Sequence, residues 1–209
     1  MNDTRRDLSR LEGSTAVIVS AMRTPTGRRR GSLSHMTAAE LGAHAVRAAL
    51  AQVPRAADDV AQLIFGNVYQ GGAGQNIARQ VALGAGLPVR VPAMTVNEVC
   101  GSGLKSVILA EQLIRLRRAD VVVAGGTESM TRAALVSAYD PDTRSYLEPQ
   151  PSLMVDGLTD AFSGEAMGVT AEEVAKQHSI DRASQDAWAL RSHVDNRSEE
   201  RRVGKECRS

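Results

Sequence analysis

Aromatic side chains are scarce in this 209-residue chain: one Trp, three Tyr and two Phe. Small aliphatic side chains must therefore fill any core, and the 43% hydrophobic content supplies them. Cysteine is nearly absent as well. Cys100 and Cys207 lie far apart and match no metal-ligand spacing. The formal net charge is only +1, which argues against a nucleic-acid or anionic-membrane partner. No apolar run approaches the roughly 20 residues that cross a bilayer. Met1–Ser14 is polar and has no signal-peptide core. These absences predict a reduced, cytoplasmic protein.

What is present alternates between strand-like and helix-like segments. Ala16–Val19 is a short β-branched run ahead of the turn-forming Thr24–Pro25–Thr26–Gly27, and reads as a buried strand. Thr37 and Glu40 have capping-box spacing, and Leu41, Ala45, Ala48 and Ala49 follow at helical period. Leu63–Phe65 begins a second strand, and a helix is predicted over Asn76–Gly84, with Gly86 and Pro88 beyond its end. Ala93–Val99 is a third strand running directly into Cys100. A largely buried helix is predicted from Leu104 to Leu116, and a fourth strand over Asp120–Ala124, stopped by Gly125–Gly126. Strands alternating with helices imply a layered α/β fold.

The texture changes after Met130. Residues 137–160 are rich in Pro, Asp, Ser and Tyr and lack periodicity. Thr170–Glu173 is a second capping-box pattern opening a helix towards Gln177, and a last helix is predicted over Ala183–His193. Eight of the thirteen residues from Arg197 to Ser209 are charged, with no amphipathic face. This segment resembles the translation of a common short-read sequencing adapter, so 197–209 is expected to be a non-native tail carrying Cys207 with it. Without its five basic and three acidic residues the net charge becomes −1.

A lone cysteine in an apolar chain is more often an inert core residue than a nucleophile. The surroundings of Cys100 favour the nucleophile. It lies between a strand and a helix, and Gly101–Ser102–Gly103 permits a tight turn and close approach of a substrate. Backbone N–H groups at a helix start favour a thiolate and can stabilise an oxyanion. Other signals are weaker. Gly71–Gly74 is followed by no Lys–Ser/Thr and reads as a turn rather than a phosphate loop, and Arg28–Arg30 reads as a solvated loop face.

The stretch VNEVCGSGLKS, Val96–Ser106, closely resembles the nucleophile motif of the thiolases. SAMRTPTGRRRGSL (20–33), GQNIARQVALGAGLP (74–88), VVVAGGTESMT (121–131) and DGLTDAFSGEAMGVTAE (156–172) resemble further blocks of that family in the same order. The resemblance spans about Thr15 to His193. It implies an α/β/α N-terminal domain over 15–132 and part of a loop domain over 133–196, after a polar extension over 1–14. It also implies a coenzyme A-dependent acyltransferase, with Cys100 as acyl carrier and its backbone N–H in an oxyanion hole. Met167 would lie beside the acyl pocket, although a plain packing role is an equal alternative. Coenzyme A and acyl-CoA would be substrates, with no metal or prosthetic group, and a homodimer or homotetramer is implied for the full-length protein.

Two departures qualify this resemblance. Ala166 stands where some short-chain thiolases have histidine, leaving acyl chain length open. Family members also continue for about as many residues again, supplying a histidine base, a second cysteine and an Asn/Glu water-holding motif. None of these motifs occurs here, and His35, His44, His178 and His193 read as surface or packing residues. The 209 residues alone are therefore expected to be an incomplete, inactive piece of an enzyme. The rival is a non-catalytic thiolase-like protein that binds acyl-CoA or lipid, against which the intact Cys100 motif counts. A cysteine hydrolase would need a histidine with a supporting motif, and none is found.

Overall fold

The computed structural model describes residues 15–206, with side chains as far as residue 195. The polar extension 1–14 and Cys207 lie outside the described residues. The chain divides into two compact units. Of the described residues, 15–22 and 36–129 form the first, and 23–35 and 130–206 the second.

The first unit begins with helix α1 (Ala38–Gln52). Its capping box is fully made: the Glu40 N–H donates to Thr37 Oγ1 at 3.1 Å, and the Thr37 N–H to Glu40 Oε2 at 2.8 Å. A single turn, α2 (Pro54–Ala57), leads into β1 (Val60–Gly66), α3 (Ile77–Gly84), β2 (Ala93–Val96), α4 (Ser102–Arg115) and β3 (Val121–Gly126). The three strands are parallel in the order β2-β1-β3. Gly66 pairs with Val96 on one side and Gly126 on the other, so all three strands end at one edge.

Side chains alternate along β1, and the layers follow from that alternation. Leu63 and Phe65 enter a cluster with Val46 of α1 and Ile77, Val81 and Ala82 of α3. Gly66 faces the other way, against α4. A Cβ on Gly66 would fall 2.6 Å from the Ser102 carbonyl carbon, so only glycine lets the helix come this close. The result is an α/β/α sandwich whose core is almost entirely Val, Leu, Ile and Ala, with Phe65 the buried aromatic.

Several elements differ from the sequence expectation. Ala16–Val19 forms no strand, and Val17, Ile18 and Val19 are exposed. A strand exists only where a neighbour satisfies its backbone, and no described segment pairs with this run. Strand β2 stops at Val96, three residues short of the predicted end, so Cys100 does not follow it directly. Gly125 and Gly126 do not terminate β3; they are its last two residues. Helix α4 begins at Ser102 and buries only the stripe Ser102, Ser106 and Ala110, while Leu104, Val107 and Ile108 are exposed. Small residues at i, i+4 and i+8 let the helix press onto the glycines of β1 and β3, which places its larger apolar residues off the contact.

In the second unit, residues 135–158 hold two short antiparallel pairs and one wide helical turn. Strand β4 (Leu135–Val136) pairs with β7 (Gln150–Pro151), and β5 (Tyr139–Asp140) with β6 (Ser145–Tyr146). Helix α5 (Met167–Gln177) starts three residues before the predicted Thr170. A loop closed by Asp160 sets the start: its side chain accepts from the Phe162 and Ser163 N–H groups, and Thr159 bridges to Ala166. Helix α6 runs over Arg182–Glu206, well past the predicted His193. Residues 194–206 contain no proline and are rich in Arg and Glu, which are good helix formers.

Candidate active site

In parallel sheets, ligands bind beyond the carboxyl ends of the strands. At that edge of the first unit lie Asn67 after β1, Asn97–Gly101 after β2, and Thr127–Glu128 after β3. Cys100 sits on the middle loop, is exposed, and precedes α4 by two residues. Its placement depends on a dense set of backbone bonds. The Gly101 N–H donates to the Glu98 carbonyl at 3.0 Å, and the Ser102 N–H to the Val99 carbonyl at 3.1 Å. The Val99 N–H donates to Asn97 Oδ1 at 2.9 Å. Lys105 Nζ lies 2.8 Å from Glu98 Oε1, an ion pair spanning the loop on its exposed side. Val99 itself has φ 50°, the left-handed region that β-branched residues avoid.

The flanking strand ends are tied together by a buried polar cluster. The Asn67 N–H reaches the Val96 carbonyl at 3.1 Å, and its side-chain amide donates to the Thr127 carbonyl at 2.9 Å and to Glu128 Oε1 at 2.8 Å. Glu128 also accepts from the backbone N–H groups of Val68 at 2.8 Å and Tyr69 at 3.3 Å. Burial pushes the Glu128 carboxyl above its ordinary value, while these donors pull it partly back. Ser106 Oγ completes the arrangement, lying 2.8 Å from the Gly125 carbonyl and 2.6 Å from that of Gly103.

Sequence reasoning found Cys100 and the small residues Gly101–Ser102–Gly103 beside it, and missed Asn67, Glu128, the left-handed backbone of Val99 and the bonds of the Ser102 hydroxyl. Asn67 and Glu128 each follow a strand on which small or apolar residues end in glycine. A polar residue there is a legible signal once the strands are known to be parallel.

Met167, the other candidate, belongs to the second unit and opens α5. It lines an open apolar groove of about 450 Å³ with Thr170, Ala171, Val174, Ala175, Ile180 and Gln185. His35, His44, His178 and His193 are all exposed. Among the described residues, no three His, Cys, Asp or Glu side chains gather where they could hold a metal ion. Nor is any described helix long and apolar enough to cross a membrane.

A three-layer α/β unit with an exposed cysteine between strand and helix, at the carboxyl edge of its sheet, defines the class: an α/β domain bearing a candidate cysteine nucleophile. The chain belongs to the thiolase family. The family model for the thiolase N-terminal domain matches residues 16–202. An acetyl-CoA acetyltransferase of Saccharomyces cerevisiae is 49% identical over 183 residues, covering 84% of this chain and 45% of the yeast protein. The acetyl-CoA acetyltransferase of Schizosaccharomyces pombe is 47% identical over 178 residues, with the same coverage of each chain. A zebrafish protein named mitochondrial acetyl-CoA acetyltransferase is 43% identical over 178 residues, 85% of this chain and 42% of its own length. The chain therefore spans less than half the length of these curated relatives.

Proposed function

We propose that this chain carries the acyl-accepting part of a coenzyme A-dependent acyltransferase acting on acetyl-CoA and 3-ketoacyl-CoA. The observation that carries the proposal is Cys100 itself, exposed on a tightly bonded loop at the sheet's carboxyl edge in a chain of the thiolase family. In the first half-reaction the Cys100 sulfur attacks the thioester carbonyl. The carbonyl–sulfur bond to coenzyme A then breaks, and the coenzyme leaves as its thiol. In the second, the enolate carbon of another acetyl-CoA attacks the acyl-cysteine and releases the Cys100 sulfur. Run backwards, free coenzyme A cleaves a 3-ketoacyl thioester. A covalent acyl-cysteine divides one difficult carbon–carbon step into two easier ones.

The Cys100 N–H serves in this proposal as an oxyanion donor, and Met167 contacts the acyl end. The role of Met167 rests on the resemblance of residues 156–172 to the family. The reaction needs no metal or prosthetic group, since thiol and thioester supply the chemistry. We further propose a homodimeric or homotetrameric full-length enzyme of lipid metabolism in a reducing compartment, the cytoplasm, where Cys100 stays a thiol. Residues 1–209 alone lack the histidine base that the family resemblance implies, and are proposed to be inactive in thiolysis.

The test is acetyl labelling. Incubated with excess acetyl-CoA, the chain should gain one acetyl group on the peptide containing Cys100, slowly and without turnover because the base is not among its residues. Cys100→Ser should keep the same circular dichroism and gain none, because a hydroxyl is a far poorer nucleophile. Equal labelling of the serine variant would remove Cys100 from the proposed role.

A further inference from the structure

We propose that Ser102 is a positioning residue for the nucleophile. Its hydroxyl holds Val99 in a left-handed conformation and so fixes the direction in which Cys100 is presented. The inference rests on the acyl-transfer proposal above and names a residue that makes that site work.

The observations concern one short segment. Val99 has φ 50°, and a β-branched side chain in that region crowds its own backbone. Such a conformation persists only where the surroundings over-determine it, and it collects at functional sites. Val99 is also held by the exposed Asn97, whose Oδ1 accepts from its N–H at 2.9 Å, and by the Ser102 backbone N–H on its carbonyl at 3.1 Å, but the buried side chain that grips this backbone is that of Ser102. Its hydroxyl donates to the Val99 carbonyl at 2.6 Å and accepts from the Glu98 N–H at 2.8 Å. One hydroxyl thus uses both its donor and an acceptor lone pair on the backbone at and immediately before the strained residue.

Ordinary helix capping does not explain this arrangement. An N-cap side chain reaches forward to the N–H groups of the next turn. Gly101 occupies the cap position of α4 and makes no such bond, whereas Ser102 is already inside the helix and reaches backwards. Nor can Ser102 easily relax. It is 4% exposed and packed against Gly66, where even a methyl group would strike it. The exposed Glu98–Lys105 pair also spans the loop, but a solvated ion pair of this kind fixes geometry weakly.

Cys100 is the next residue after Val99. If Val99 relaxes to an extended conformation, the peptide plane leading into Cys100 turns, and both its N–H and its sulfur are re-aimed. Attack on a thioester requires the sulfur and the oxyanion donor in register with one carbonyl. Alkylation by a small reagent requires only an accessible thiol. Loss of the latch should therefore separate the two reactions.

The experiment uses the full 209-residue chain as wild type, Ser102→Ala, Val99→Gly and the double variant. Acetylation of Cys100 by acetyl-CoA and its alkylation by iodoacetamide are followed by peptide mass spectrometry. Glycine adopts φ 50° freely, so Val99→Gly makes the latch unnecessary. Ser102→Ala should lower the acetylation rate about ten- to a hundredfold, the scale on which misplacement of reacting groups acts. Its alkylation should stay near the wild-type rate. Val99→Gly alone sets the reference rate, and the double variant should acetylate close to it, recovering most of what Ser102→Ala loses. Wild-type acetylation in Ser102→Ala, or no recovery in the double variant, would overturn the latch alone. Should Ser102→Ala fail to fold, the double variant decides: folded and acetylating supports the latch, equally unfolded overturns it. A wild-type chain that is alkylated but never acetylated would overturn both the latch and the acyl-transfer proposal.

Discussion

Asn67 is 1% exposed and Glu128 is half-buried, yet neither carries a chemical step in the proposed reaction. Their work is to join three strand ends. Removing a partner would leave buried donors unmade, at about 1–3 kcal/mol each. The charge of Glu128 has a second consequence. Burial raises its carboxyl above 4.5, so the folded protein holds this proton more tightly than the unfolded chain. Its contribution to stability is therefore full below pH 4.5 and is lost as pH rises through the folded value. Glu128→Gln should flatten that part of the pH–stability curve while lowering stability overall, because its NH₂ then faces backbone donors. Denaturant melts across this pH range check the claim, and an unchanged slope in the variant would refute it. Asp140, Asp160 and Asp181 act with the opposite sign. Hydrogen bonds from nearby hydroxyl and backbone N–H groups lower their carboxyls below 3.8, so their turn and cap contributions exist above that pH and fade as pH falls through the folded values. Asp181 is exposed and Asp140 and Asp160 are only partly covered, so the effects are correspondingly small.

At the scale of elements, the contact between β1 and α4 is the one the site depends on most. Gly66→Ala would force its methyl to within 2.6–2.8 Å of the Ser102 and Gly103 backbone. Overpacking of this kind typically costs about 1–3 kcal/mol, and here it would also move the start of α4. A fall in denaturation midpoint with slower Cys100 acetylation is expected. An unaltered midpoint would mean that the helix is not seated on that glycine. Elements whose signals are local were legible in the sequence. The Thr37–Glu40 box and α3 with Gly86 at φ 91° beyond it form where the pattern put them, and β1 contains the Leu63–Phe65 run but starts three residues earlier, at Val60. Elements whose ends depend on distant partners were not. The Ala16–Val19 run has strand composition without a strand, since composition cannot supply a neighbour. Strand β2 ends where β1 ends, at the Gly66–Val96 pair, and not where the apolar run stops. Cys100 was legible from its neighbours, whereas the latch beneath it depended on a backbone angle that no residue pattern announces. Valine is the last residue one would choose for φ 50°.

At the scale of the whole molecule, the first unit exposes many apolar side chains, and two groups of them are close in sequence. Val17, Ile18 and Val19 are 63–81% exposed, and α4 shows Leu104, Val107 and Ile108 to solvent. Contiguous apolar patches above a few hundred Å² are rare on monomeric soluble proteins. Residues 1–209 should therefore self-associate with rising concentration, a tendency that light scattering can follow. They should also show no measurable thiolysis of acetoacetyl-CoA, since general base catalysis is worth about 10²–10⁴-fold and the implied base is not among them. A monodisperse chain turning over at ordinary enzyme rates would contradict both expectations.

Everything proposed for this chain turns on whether Cys100 accepts an acyl group from a coenzyme A thioester. The direct measurement is a single turnover with the chain in excess over acetyl-CoA, following free coenzyme A thiol and mapping the acetyl group. Coenzyme A should appear in step with acetylation of the Cys100 peptide, and Cys100→Ser should release none above the rate of spontaneous hydrolysis. Undiminished release from Cys100→Ser, or an acetyl group mapped to another side chain, would contradict the proposal at its centre.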